Sequence, residues 1–156
     1  MKVSTKGRYG VRAILDLAVH GEDGPVFLKD IARRQQLSHR YLERLFAQLR
    51  QAGILTTVRG SLGGFRLARP AEAIRMSQVV EALEGPILSV DCVTDPRICP
   101  ITDSCVPHDL WARVNRAVHS VLETTTLADL VRQEREHAKY GFDPGPARQK
   151  GAMDHV

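Results

Sequence analysis

Apolar residues recur at helical steps near the start of the chain. Val11, Ile14, Leu17 and Ala18 share one face, and Ser4 or Thr5 can cap it, so the pattern predicts a helix over 4–20. Gly21-Glu22-Asp23-Gly24-Pro25 reads as a turn. Val26-Phe27-Leu28 predicts a short strand, and a brief helix is expected over 29–36. Ser38 then caps a helix whose inner face is Leu42, Leu45, Phe46 and Leu49; the outer face carries His39, Arg40, Glu43, Ala47 and Arg50, and Gly53 stops it. Residues 54–59 are β-branched and alternating. With the glycine-rich turn 60–64 and Phe65-Arg66-Leu67 they predict a hairpin. Helix, short helix, capped helix, hairpin is the order of a winged helix-turn-helix, and Gln35-Gln36-Leu37-Ser38 has the length its turn needs.

Pro70 begins a connector. Ser77 is expected to cap a short helix with Val79, Val80 and Leu83 inward, ended by Gly85-Pro86. A polar, proline-bearing loop over 91–107 contains every cysteine. A second long helix is expected over 109–124, where Trp111, Val114, Val118, Val121 and Thr125 fall at the three- and four-residue steps of a helix–helix seam. Thr126 with Asp129 resembles a capping box for a last helix over 127–137, with Leu130 and Val131 inward. From Gly141 the chain is turn-rich and unpatterned, which predicts a disordered tail over 141–156.

The chain has 156 residues, 43% hydrophobic and 26% charged. That suits one domain, or two small pieces sharing a core. No run of 18 apolar residues is present, which excludes a membrane-spanning helix, and the first eight residues lack the apolar core of a secretory signal. A cytoplasmic protein is expected. Three cysteines cannot close a disulfide framework within one chain, so they read as reduced thiolates for metal or redox chemistry. Charge is uneven. Residues 1–70 hold thirteen Lys and Arg against five Asp and Glu, a formal +8, and the remainder carries −4. A basic half beside an acidic half suggests that one end meets a polyanion.

The basic half points to duplex DNA. A helix fits the major groove, and polar side chains on its N-terminal, outward face can reach base edges. Ser38, His39, Arg40, Tyr41, Glu43 and Arg44 occupy that stretch. Arg40 can donate to guanine or to a phosphate. Glu43 can accept only from a cytosine amino group, so it would act as a filter, because a carboxylate otherwise repels DNA. Arg59 beside Gly60 is placed to enter a narrow minor groove. Against an ordinary surface helix beside an ordinary hairpin, the +8 favours DNA binding.

The cysteines carry the second candidate chemistry. Their spacing is Cys92-x6-Cys99-x5-Cys105, followed by Cys105-x2-His108. Three thiolates and an imidazole complete the first shell of a tetrahedral zinc or serve a [2Fe–2S] centre. Structural zinc favours tighter knuckles, and these wider gaps suit a loop wrapped around a cluster. Catalysis finds little support: no nucleophile elbow, P-loop or dinucleotide fingerprint is present, and Gly60-Ser61-Leu62-Gly63-Gly64 lacks the Lys-Ser/Thr and following helix of a phosphate loop. An electron carrier docking an acidic partner and a cluster-free thiol switch are the rival readings.

Ser-Thr-Lys-Gly-Arg-Tyr-Gly-Val-Arg-Ala (4–13), Tyr-Leu-Glu-Arg-Leu-Phe (41–46), Val-Arg-Gly-Ser-Leu-Gly-Gly-Phe (58–65) and the Cys92/Cys99/Cys105/His108 set resemble the IscR family of iron–sulfur cluster regulators. The resemblance covers about 1–137 and extends to winged-helix bacterial repressors that sense nitric oxide or regulate cysteine metabolism. It implies a cytoplasmic homodimer joined through the long helix near 109–124. It also implies a [2Fe–2S] cluster on Cys92, Cys99, Cys105 and His108, repression of cluster-assembly genes, and a Glu43 that restricts the accepted DNA motifs until cluster loss relaxes the choice. Nitric-oxide-sensing relatives can recruit an acidic ligand from the first helix; Arg8 occupies that neighbourhood here. Two departures stand out, a first cysteine gap one residue longer than the family pattern and Ser61-Leu62 at the wing tip. The expected fold class is mainly α. A winged helix-turn-helix over 1–70 precedes a connector helix and cluster loop over 71–108, then the dimerisation and terminal helices over 109–140.

Overall fold

The computed structural model describes residues 3–60, 63–86 and 90–139. Helix α1, Thr5–His20, follows an extended Ser4 whose hydroxyl accepts from the amides of Lys6 and Gly7, as its cap should. Helix α2 is Leu28–Gln35 and α3 is His39–Gln51. The strand expected over 26–28 reduces to one rung. Val26 exchanges both backbone hydrogen bonds with Phe65 at 2.9 Å, while Leu28 has already entered α2 with its side chain in the core.

Two helix ends set the angles between these elements. After α3, Gly53 adopts φ 70°, its amide donates to Arg50 and the amide of Ile54 reaches back to Leu49 at 3.0 Å. This double closure needs the left-handed conformation that glycine adopts freely, and it buries Ile54. After α2 the same closure falls on Gln36, φ 52°, with Leu37 donating to Ala32 at 3.0 Å. A side chain there costs on the order of 1–2 kcal/mol. Leu37 packs against the core directly after it and offsets part of that cost.

The wing is the hairpin β1, Leu55–Val58, and β2, Gly64–Leu67, antiparallel with Leu55 opposite Leu67 and Val58 opposite Gly64. Phe65 meets the fully buried Phe46 edge-on at 5.0 Å, which seats the wing on α3. The tip, Ser61-Leu62, lies outside the described residues, as does the tail 141–156.

Helix α4, Met76–Glu84, corrects one expectation. The extended residue before it is Arg75. Ser77 sits inside the first turn, buried, and its hydroxyl donates to Glu123 at 2.6 Å. A buried hydroxyl must find an acceptor, and this one finds it on another helix. Val79 and Leu83 are buried as expected, while Val80 is half-buried. The loop over 91–107 contains a helical turn, α5 at Asp91–Thr94, and 3-10 turns at Pro96–Ile98 and Thr102–Ser104. Helix α6, Val106–Thr124, starts three residues earlier than expected, because Pro107 presets the backbone of its first turn. Helix α7, Leu127–Lys139, has the reciprocal cap: Asp129 accepts from the amide and hydroxyl of Thr126, and the Thr126 hydroxyl accepts from the Asp129 amide at 3.1 Å.

One core joins these parts: Ile14 and Leu17, Ile31, Leu42, Leu45, Phe46, Leu49, Ile54, Ile74, Val79, Leu83 and Leu127 are all essentially inaccessible. Helix α6 contributes no buried residue to it. Of the expected seam, Trp111 and Val121 are exposed, and Val114, Val118 and Thr125 are half-buried, so the seam is not closed within the chain. Among the described residues no helix is long and apolar enough to cross a membrane.

A carboxylate fastens the end of α4 to the start of α1. One oxygen of Glu84 accepts from the Ser4 amide at 3.2 Å, the Ser4 hydroxyl at 2.6 Å and the Gly7 amide at 2.8 Å. A Cβ at position 7 would lie 2.2 Å from that oxygen, so glycine is what admits the contact. The Ser4 hydroxyl chiefly, helped by the two amides and Lys6, holds the Glu84 carboxyl below its ordinary value of 4.5, against the opposing effect of burial. A depressed carboxyl stabilises the fold fully above its ordinary pKa, and that contribution is lost as pH falls through the folded value. Glu84→Gln is therefore expected to flatten the decline in urea-unfolding free energy between about pH 5 and 3. A profile superimposable on the wild type would show that the contact adds nothing to stability.

Candidate nucleic-acid interface and metal centre

Ser38 is extended, and its hydroxyl accepts from the Tyr41 amide at 3.2 Å, so the first turn of α3 projects from a fixed point. His39, Arg40, Glu43 and Arg44 are exposed along it. Nδ1 of His39 stands 3.4 Å from a carboxylate oxygen of Glu43, one helical turn on. Arg40, Arg44 and Arg59 are exposed and have no ion-pair partner among the described residues, and Gly60 follows at the wing's edge. Tyr41 turns half inward instead. Its ring meets Tyr9 of α1 edge-on at 6.3 Å, which makes it a contact between helices as well as a surface residue.

What holds α3 at this angle begins with a buried acid. The Asp16 side chain on α1 is only 2% exposed. Arg34 of α2 meets it with Nε at 3.0 Å from both oxygens and Nη2 at 2.6 Å from one, and the Gln35 amide donates at 2.8 Å. Hydrogen bonding to Asp16 raises the Arg34 pKa further above its already high value. His20 closes the set, its Nδ1 2.9 Å from the Asp16 carbonyl oxygen. Arg12 adds contacts to Gln35 through its side-chain oxygen at 3.1 Å and its carbonyl at 3.3 Å. The helix–turn–helix is thus pinned to α1 by polar contacts that apolar periodicity does not report.

The candidate ligands lie on successive short elements. Cys92 is on α5, Cys99 follows the first 3-10 turn, Cys105 is the residue before α6 and His108 is in the first turn of α6. All three thiols are free and half-buried. The His108 side chain is 18% exposed, and Nδ1 is 3.7 Å from an Asp109 oxygen. Thr102 folds the segment, donating its hydroxyl to the carbonyls of Cys99 at 2.8 Å and Pro96 at 3.1 Å. Asp95 binds Arg97 through both oxygens and is held below the ordinary carboxyl range chiefly by that guanidinium. Three thiols and an imidazole are the right donors for an iron–sulfur or zinc site. Among the described residues, however, no three His, Cys, Asp or Glu side chains converge at metal-holding distance. The segment gathers the donors into one region without forming a coordination sphere.

Sequence reasoning missed Asp16, Arg34, Glu84 and Glu123. A signal existed for Asp16 alone: it interrupts the apolar face of α1 between Ile14 and Leu17. A groove of about 780 Å³ between α1, β2 and α7 is lined by none of the candidate ligand or DNA-facing residues.

A profile of the Rrf2 family, described as iron-dependent transcriptional regulators, matches residues 3–133. The chain is 44% identical over 132 residues to protein rrf2 of Nitratidesulfovibrio vulgaris, spanning 85% of this chain and 88% of that protein. Among solved structures, the global cysteine regulator CymR of B. subtilis superposes with a TM-score of 0.73 at 39% identity, over 85% of this chain and 98% of that one. IscR of T. potens superposes with a TM-score of 0.69 at 43% identity, over 87% and 90%.

The Asp16 network predicts an asymmetry between its partners. Arg34→Ala leaves a buried carboxylate without its cation and is expected to cost about 3 kcal/mol or more in urea unfolding. Asp16→Asn leaves an arginine already 28% exposed, which can turn to solvent, and is expected to cost less. Equal losses, or a larger loss for Asp16→Asn, would contradict the assignment of Asp16 as the constrained partner.

Proposed function

The chain belongs to the Rrf2 family of DNA-binding transcriptional regulators, not enzymes, and from that premise we propose that it is a cytoplasmic, homodimeric repressor reading iron–sulfur status through a [2Fe–2S] cluster on Cys92, Cys99, Cys105 and His108. Cluster-assembly genes are its proposed targets. The observation that carries the reading is the donor set, three free, half-buried thiols and one imidazole confined to 92–108. When bound, such a cluster supplies a redox centre whose potential is raised by imidazole in place of thiolate. The chain's own part is to bring donors from α5 and from the start of α6 together, so the relation of those two elements is what ligation alters.

On the DNA side, α3 enters the major groove. Ser38, His39, Arg40, Tyr41 and Arg44 meet bases and backbone, Glu43 filters for cytosine, and Arg59 with Gly60 takes the minor groove. The exposure of Arg40, Arg44 and Arg59, none with an ion-pair partner among the described residues, supports this assignment. A second copy of the chain covers α6, where Val106 is 79%, Leu110 53%, Trp111 46% and Val121 63% exposed. An apolar stripe of this kind marks an interface. The two-fold symmetry of such a pair matches a pseudo-palindromic operator with half-sites one helical turn or a multiple apart. In this division 1–70 reads DNA, 71–108 senses and 109–140 pairs the subunits. A cluster-free thiol switch, with a reversible disulfide among the three cysteines, is the second reading, supported by three free thiols within one segment.

Protein isolated without oxygen is expected to be coloured, with iron and sulfide in equal amounts, and Cys92→Ala is expected to abolish the visible absorbance. Colourless wild type with stoichiometric zinc would reject the cluster. Iron-free protein whose mobility changes reversibly on non-reducing electrophoresis would select the thiol switch. Arg59→Ala is expected to weaken binding to every operator and to lower the salt dependence by about one phosphate contact. Unchanged affinity would remove the wing from the DNA interface.

A further inference from the structure

Helix α4 stands between the cysteine segment and the DNA-reading half, packing against α1, α3 and α6. Each of its ends is held by a carboxylate. At the first turn, Glu123 of α6 accepts from the Ser77 hydroxyl at 2.6 Å and pairs with Arg75 Nε at 3.1 Å, while Arg75 Nη1 donates to the Glu123 carbonyl at 2.7 Å. At the last residue, Glu84 grips the Ser4 cap and Gly7 of α1, while the cysteine segment reaches α4 through α6, which packs against both α5 and α4.

We propose that Glu84 is a positioning residue that couples the state of the cysteine segment to the reading helix, by fixing the start of α1 to the end of α4. It acts through other residues and touches no DNA. Capping α1 does not require it, since the Ser4 hydroxyl already accepts from Lys6 and Gly7, and packing of Leu83 against Gly10 already holds the two helices together. What the carboxylate adds is direction. Three donors converging on one oxygen fix its position, whereas apolar packing tolerates sliding. Beyond this point α1 carries Tyr9, which meets Tyr41 of α3, and Asp16, which holds Arg34 and Gln35 of α2. Displacement of the end of α4 therefore reaches both helices of the helix–turn–helix.

The inference rests on the reading of 92–108 as the sensor. The test uses an operator fragment selected by iron-loaded wild-type protein from a pool of random duplexes. Its affinity is measured by fluorescence anisotropy for iron-loaded and for chelator-treated protein. The wild-type affinities are expected to differ by at least about fivefold. In Glu84→Ala, which removes the acceptor oxygen, and in Gly7→Ala, which crowds it from the other side, the ratio is expected to fall to within twofold of one, with iron content and circular dichroism unchanged. The double variant is expected to match the singles, because both break one contact. In the wild type, the Gly7 amide is expected to exchange at different rates in the two states, a readout that needs no variant to fold. A wild-type ratio of one overturns the sensor reading and the relay with it. A wild-type response that both variants keep, or a Gly7 amide indifferent to iron, overturns the relay alone.

Discussion

A carboxylate sealed from water needs a cation in contact, and Asp16 finds its permanent one in Arg34 of α2. The consequence is positional more than energetic. A buried pair gains little over apolar side chains of equal volume, whereas separating the partners costs about 3–5 kcal/mol, so wrong placements of α2 on α1 are penalised far more than the right one is rewarded. Once α2 is placed, the left-handed Gln36 and the Ser38 cap leave α3 little choice of angle. Leu42, Leu45, Phe46 and Leu49 then lock it into the core, and the outward turn bearing Arg40 and Glu43 is presented to solvent. The wing follows from the same helix through Phe46 and Phe65.

The other half of the molecule is built differently. Its long helix has no buried residue; it packs on α4 and α5, Leu122 meets the core, Glu123 binds Ser77 and Arg75, and just beyond it Arg75 pairs with Thr126 through the backbone. The cysteine segment is shaped by its own local hydrogen bonds, those of Thr102 and Asp95, with little apolar burial behind them. Few buried contacts and many exposed backbone groups are what a part that changes arrangement requires. A rigid reader joined to a lightly held, thiol-bearing segment through α4 is a physical basis for switching that needs no large domain motion.

Much of this was legible in the chain. Apolar periodicity found α1 and α3 because they bury what the pattern marks, Ile14 and Leu17 on one and Leu42, Leu45, Phe46 and Leu49 on the other; α7 was found as well, although its marked Leu130 and Val131 are half-buried and the buried residue is Leu127. It erred where a residue's role is settled at long range. Ser77 has the type of a cap, yet its partner Glu123 is 46 residues away, so the same serine is a buried donor inside the helix. The contact between Ser4 and Glu84 spans 80 residues and has no local signature. Val26 carries a strand's side chain and makes one rung, since Leu28 is claimed by the core. The Cys and His donors were visible by type and spacing. Their positions were not, because the turns that separate them depend on hydroxyl-to-carbonyl bonds that composition cannot foretell.

The central claim is that the ligation state of 92–108 governs how strongly the winged helix holds DNA. It is tested most directly on the wild-type protein isolated without oxygen, by counting iron and sulfide and titrating one preparation into operator DNA before and after chelation. Iron and sulfide in matched amounts, with an affinity that changes on their removal and returns on reconstitution, is the expected result. A protein that binds its operator identically whether or not it holds iron would contradict the claim.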